Sequence, residues 1–185
     1  TQSALITTKS QADAVVFVGS TFIILSNTTL YSVWAADNNG PTGISDGTPD
    51  YLQYGIVYVG NHASSGSVPV NNNLYSAGSS VTVAGNSGSL VRANAVFLGW
   101  STVETSIIGS AADLPTPLYH GGNSISMVSG GVTLYAVWSK DSNGPSGVPD
   151  GISDYLEFTV TYAKNSADAT GTVIDPNIYP DNYLM

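Results

Sequence analysis

Cysteine is absent from the chain of 185 residues, which excludes a disulfide framework, cysteine-ligated zinc and cysteine catalysis but leaves the compartment open. Basic residues are nearly as scarce: four Lys and Arg stand against 13 Asp and Glu, a formal net charge of −9. Nucleic-acid binding needs Lys and Arg patches to neutralise phosphate, so that partner class is excluded and metal cations are favoured instead. Long apolar runs are missing as well. The longest, 15–25, is broken by Gly19, Ser20 and Thr21 and is too short to span a bilayer, so no transmembrane segment is expected. No stretch sustains an apolar period of 3.6 residues, which argues against helices of any length. No serine lies in a GxSxG setting and no Gly-rich turn carries a phosphate-loop Lys, so the expectation is that the protein is not an enzyme.

What is present is the palette of an all-β protein. Charged residues make up 9% and hydrophobic residues 42%, with 11 Tyr, 20 Gly and abundant Val, Thr, Ser and Asn, whereas a disordered chain would show the opposite balance. The runs VVFVG (15–19), TFIIL (21–25) and TLYSVW (29–34) read as strands. So does 54–59, which the alternation extends through a turn at 61–66 into a hairpin with 67–70. The run 95–100 is the most hydrophobic strand. The segments 124–128 and 132–138 read as a closing hairpin through Ser129-Gly130-Gly131, and only 89–92 offers a short helical turn. Tyr58, Val68, Val83, Phe97, Trp100, Leu134, Tyr135 and Val137 are the expected core.

One polar stretch is written twice. DNNGPTGISDGTPDYL at 37–52 and DSNGPSGVPDGISDYL at 141–156 superpose when 104 is added to each number. The match extends outward at the same offset: Thr29-Leu30-Tyr31-Ser32-Val33-Trp34 falls on Thr133-Leu134-Tyr135-Ala136-Val137-Trp138, and Ile56, Tyr58 and Asn61 fall on Val160, Tyr162 and Asn165. The architectural unit is therefore about a hundred residues long. It divides the chain into closing strands of an incomplete module (1–34), a linker (35–52), a complete β module (53–138), a second linker (139–156) and opening strands of an incomplete module (157–185). Within the last, Gly171-Thr172-Val173 matches Gly66-Ser67-Val68.

The order Gly60-Asn61, Gly66-Ser67-Val68-Pro69-Val70, Tyr75-Ser76-Ala77-Gly78-Ser79, Val81-Thr82-Val83, Phe97-Leu98-Gly99-Trp100 and Thr133 to Trp138 resembles the Listeria–Bacteroides repeat, the family of the internalin B B-repeat. The resemblance covers about 54–138 and departs in an insertion at 103–118 and in Ala95-Val96, where the family carries Gly-Tyr. It implies a β-grasp-like fold in tandem arrays on secreted, cell-surface proteins with a structural or adhesive role, and with the repeat the expected fold class is all-β, tandem β-grasp-like or sandwich modules joined by Asp/Asn/Gly/Pro-rich linkers.

The polar stretches supply carboxylate and amide oxygens on a Gly/Pro-rich backbone, the donor set of a hard cation such as Ca²⁺. The candidate ligands are Asp37, Asn39, Asp46 and Asp50 in the first copy and Asp141, Asn143, Asp150 and Asp154 in the second; Glu157 could join, with Gln53 as its counterpart. The stretches resemble the DxNxNGxPDxxE calcium linkers of thrombospondin type-3 and dockerin-like loops, although Gly40 to Gly43 and Gly144 to Gly147 break that spacing. The alternative is a solvated linker whose Asp and Asn cap their own backbone. His62 and His120 are isolated and read as surface loop residues. Trp34, Trp100 and Trp138 are better placed in core or rim than as a glycan platform, and Asn27-Thr28-Thr29 reads as a turn rather than a glycosylation site.

These readings point to an extracellular, cell-surface structural protein that associates head to tail with copies of itself by strand complementation. The alternative is a spacer or adhesin module of a larger repeat protein that binds a host protein or glycan.

Overall fold

The computed structural model describes residues 5, 7, 8, 11, 21, 24–38, 45–142, 148–168 and 170–180. Among them the chain is β-rich, with no helix of seven residues or more. Nine strands form among the described residues: β1 (Gln53–Tyr54), β2 (Ile56–Val59), β3 (Tyr75–Ser76), β4 (Ser80–Thr82), β5 (Ala95–Ser101), β6 (Ser124–Ser126), β7 (Val132–Lys140), β8 (Glu157–Thr159) and β9 (Ile178–Pro180). They make one three-stranded sheet, β2–β7–β5, and three pairs, β1–β3, β4–β6 and β8–β9. The chain falls into two compact units, Thr1–Val57 with Val70–Val81 and Ser124–Val132, and Tyr58–Pro69 with Thr82–Asn123 and Thr133–Met185.

In the first unit, Ile56, Val81, Ile125, Met127 and Val132 are buried. Gly78 donates to the Met127 carbonyl and Met127 to the Ser79 carbonyl, each at 2.8 Å. Gly130 and Gly131 turn the chain at φ of 100° and 86°, and a Cβ on Gly131 would stand 2.9 Å from the Gly55 carbonyl oxygen. That close approach reserves the position for glycine. The expected 124–128/132–138 hairpin does not form: β6 pairs with β4, and β7 lies between β2 and β5.

The second unit is built on aromatics. Trp100 and Trp138 are fully buried, and Tyr58–Trp100, Phe97–Trp100 and Phe97–Trp138 meet edge to face with centroids 4.9, 5.2 and 5.5 Å apart. Each indole finds a carbonyl: Trp100 Nε1 donates to Ala84 O at 2.9 Å and Trp138 Nε1 to Gly60 O at 3.1 Å, so neither polar edge is stranded. Antiparallel β5 and β7 pair Phe97 with Trp138 and Gly99 with Val137, leaving Leu98 in a bulge. A Cβ on Gly99 would lie 2.6 Å from Tyr119 O, which explains the glycine in the FLGW run.

Of the expected core, Tyr58, Val83, Trp100, Leu134 and Val137 are buried, while Val68, Phe97 and Tyr135 are half-buried. Leu90, Ile108 and Met127 join it unforeseen. Ile108 comes from the 103–118 insertion, donating to Trp138 O and accepting from Lys140 N. Three expected elements are absent. Residues 67–70 form no strand, because Ser67 donates instead to Gly88 O at 3.0 Å, and Pro69 has no N–H for a ladder. The 89–92 turn is not helical, since Ser89 adopts φ 51° and Val91 bridges Ser65. The described part of the N-terminal strands, 24–34, forms no strand; runs 15–19 and 22–23 lie outside the described residues. The sequence equivalent of 29–34 is β7, which holds its shape between β5 and β2; among the described residues nothing pairs 29–34 in that way.

Candidate metal centre in the repeated loop

The described residues of the two polar stretches share a set of hydrogen bonds. In the first copy, Asp37 accepts from the backbone of Asp46 (3.1 Å) and Gly47 (2.9 Å) through its two oxygens. In the second, Asp141 accepts from Asp150 (3.2 Å) and Gly151 (3.0 Å). The Asp46 carboxylate caps Thr48 N at 2.7 Å, and Asp150 caps Ile152 N at 2.8 Å. Asp50 Oδ1 accepts from Asn38 N at 2.9 Å, and Asp154 Oδ1 from Ser142 N at 2.7 Å. Gly47 and Gly151 take φ 85° and 91°, the left-handed turn that glycine tolerates, and each loop ends in one 3-10 turn, Asp50–Leu52 or Asp154–Leu156.

The recurrence continues past the loops. β1 and β3 pair antiparallel as Gln53 with Ser76 and Tyr54 with Tyr75, and β8 and β9 pair as Glu157 with Pro180 and Phe158 with Tyr179, each partner 104 residues on. Ahead of β3, Asn73 N donates to Asn71 Oδ1 (3.0 Å) and the Asn71 amide to the Tyr75 hydroxyl (3.0 Å). Ahead of β9, Asn177 N donates to Asp175 Oδ1 (3.0 Å) and the Tyr179 hydroxyl to Asp175 Oδ2 (2.7 Å). That hydroxyl and the Asn177 backbone N–H hold the Asp175 carboxyl below the usual carboxylate range. The alignment Asn71/Asp175, Asn73/Asn177 and Tyr75/Tyr179 was readable at the same offset; its signal is the spacing of one Asx turn and one tyrosine.

As a cation site, the loops have the right donors in an unassembled arrangement. Seven of the chain's 13 acidic residues lie in or beside them, namely Asp37, Asp46, Asp50, Asp141, Asp150, Asp154 and Glu157. Asp141 is 2% exposed and spends both oxygens on backbone N–H groups, the self-capping that the sequence left open as an alternative. Each carboxylate oxygen keeps a further lone pair for a cation. Among the described residues no group of three or more Asp, Glu or His is gathered as a ready metal site, and Asn39 and Asn143 lie outside them. Among the buried side-chain oxygens of the described residues that lack a hydrogen-bond partner are Gln53 Oε1 and Glu157 Oε2, which occupy equivalent positions in the two copies. The Gln53 amide stays in the loop by donating to Asp46 Oδ2 at 2.8 Å. Burial, followed by the charges of Asp150, Asp154 and Asp141, pushes the Glu157 carboxyl above its usual range. Lys140 sits 3.4 Å from Asp154 and offsets part of that charge. Carboxylate and amide oxygens are the donor types a divalent cation takes, and Asp37, Asp46, Asp50 and Gln53 or their equivalents would hold one.

The other singled-out side chains lie elsewhere. His62 and His120 are exposed; His62 lines an open cleft with Arg92 and Glu104. Trp34 is exposed, unlike its equivalent Trp138. No helix of the described residues is long and apolar enough to cross a membrane. Comparison with protein-family models, with curated proteins and with solved structures finds no match to this chain.

Proposed function

We propose that this chain belongs to an extracellular, cell-surface structural protein made of a β module repeated every 104 residues. In this reading its copies associate head to tail by strand complementation, and its linkers are stiffened by Ca²⁺. The observation that carries the reading is the recurrence of one loop and one strand pair, down to individual hydrogen bonds, at a constant sequence offset. Such recurrence is how solenoid and array proteins build length, because each unit repeats the same junction to the next. The resemblance of 54–138 to the Listeria–Bacteroides repeat supports the same assignment.

Calcium enters through charge. Each loop carries three Asp of like charge, and an ion that binds only the folded loop stabilises it by mass action. The test is a melting series of the full chain with Ca²⁺ and with chelator, beside sedimentation at increasing concentration. A melt and a sedimentation coefficient that both ignore Ca²⁺ would remove the metal from the reading.

A second reading is favoured by the constancy of the 104-residue register. A strand partner in that register can be supplied by a neighbouring module of the same polypeptide, which makes the chain a spacer or adhesin segment presenting a ligand-binding module. A chain that stays monomeric yet binds a host protein or glycan would select it.

A further inference from the structure

The same sequence element is buried in one copy of the repeat and bare in another, on both flanks. Trp138 is 1% exposed and Trp34 69%; Tyr58 is 5% exposed and Tyr162 51%. Leu30, Tyr31 and Val33, whose equivalents lie in β7, are exposed too. Residues 160–163, equivalent to β2, form no strand in this structure, although β2 itself pairs with β7. Among the described residues, 29–34 and 160–163 each form no strand.

Two turn residues of the C-terminal half share the left-handed backbone of their counterparts. Asn165 takes φ 54° where Asn61 takes 44°, and Gly171, one residue beyond the 104-residue offset, takes φ 85° where Gly66 takes 82°. In the central module the Asn61 amide donates to Ala136 O at 2.9 Å, and the Trp138 indole donates to Gly60 O at 3.1 Å. Moved by 104 residues, these contacts become Asn165 to Ser32 O and Trp34 to Lys164 O. Both acceptors are backbone carbonyls, so the changes from Ala136 to Ser32 and from Gly60 to Lys164 leave them intact. At the same place a groove of about 380 Å³ opens, lined by Tyr162, Lys164, Thr172 and Val173. In the central module a Cβ on Gly60, the equivalent of Lys164, would meet Ala63, Leu90 and Val68, and the Trp138 indole donates to the Gly60 carbonyl.

We infer that the groove beside Tyr162, Lys164 and Val173 receives Trp34 of a second copy of this chain, with residues 29–34 pairing along 160–163 as β7 pairs with β2. This rests on the head-to-tail reading and gives it an occupant and a register. The contact is strand addition: main-chain hydrogen bonds supply binding, and the seating of one aromatic anchor supplies register. Because donor and acceptor surfaces differ, each added copy leaves another pair of free halves.

The absence of cysteine makes the test clean. Full chains carrying Ser32→Cys or Lys164→Cys are mixed and oxidised, with Ser32→Cys against Asn72→Cys as the control. The expected result is a disulfide-linked dimer at least tenfold more abundant in the first mixture. Trp34→Ala in the Ser32→Cys chain should cut that yield at least tenfold, and Asn165→Ala in the partner should lower it. Trp34 and Asn165 are exposed, so the melt of these variants should match the parent, which separates lost binding from lost folding. Equal yields in the two mixtures, or no effect of Trp34→Ala, in a chain that still associates would overturn this register and spare the head-to-tail reading. A chain that stays monomeric throughout would overturn both.

Discussion

Trp34 and Trp138 sit in nearly identical sequence, TLYSVW and TLYAVW, and differ in environment: the second lies in β7, between β2 and β5, and among the described residues no strand flanks the first. Burying an indole removes a large apolar area from water, so Trp34 carries an unfulfilled driving force that Trp138 has satisfied. This has a spectroscopic consequence. In dilute solution Trp34 should supply the red-edge tryptophan emission accessible to iodide, with Trp100 and Trp138 shielded. Trp34→Phe should abolish quenching, and persistence of quenching in that variant would contradict the burial of the other two. Glu157 gives a second test. Its folded pKa is raised, so its protonated form is favoured by folding, and the associated stability is present below the ordinary carboxylate pKa and lost as pH rises through the raised value. Without divalent cation, Glu157→Gln should therefore melt higher than the parent at neutral pH, the gap closing in acid. A gap that widens in acid would reverse the assignment.

Among elements, the junction of β7 with its neighbours decides stability. The Asn61 amide bridges the carbonyls of Thr105 and Ala136 at 2.9 Å each. Asn61→Ala strands both carbonyls and should cost about 1–3 kcal/mol in chemical denaturation. The equivalent Asn165→Ala should fall within about 0.5 kcal/mol of the parent in dilute solution. Gly99→Ala would drive a methyl against Tyr119 O and should cost about 2–3 kcal/mol.

The same elements show what the sequence could convey. The strand runs read at 54–59, 95–100 and 132–138 were legible because aromatic and β-branched residues cluster there, and the structure has strands at 56–59, 95–101 and 132–140. Their partners were not, because proximity along the chain favours hairpins while β6 pairs with β4 and β7 is shared by β2 and β5. The 103–118 insertion looked like a plain loop, yet one residue of it, Ile108, is buried, a contact with no periodicity to announce it. In the candidate site the ligand types and the 104-residue offset could be read directly. The capping of Asp46 and Asp150 on their own turns was open as an alternative, and the orphaned oxygens of Gln53 and Glu157 needed coordinates, since burial of one atom leaves no mark on composition.

For the molecule as a whole, charge and repetition work together. A net charge of −9 opposes the approach of one copy to another, and divalent cations in the loops would reduce that repulsion as well as stiffen the chain. Saturating Ca²⁺ at about a hundred times its Kd should add about 2.7 kcal/mol per site to stability. Chelator should lower the melting temperature, and Asp150→Ala or Asp154→Ala should shrink that response by the share of the second loop. A response of full size in both variants would move the ion elsewhere. The central claim, that unpaired halves of one repeated module complete each other between copies, is tested most directly by sedimentation velocity of the full chain over a wide concentration range with Ca²⁺ present. The account predicts a sedimentation coefficient that climbs without a plateau at dimer and falls back to monomer in Trp34→Ala; a single monomeric species at every concentration would contradict it.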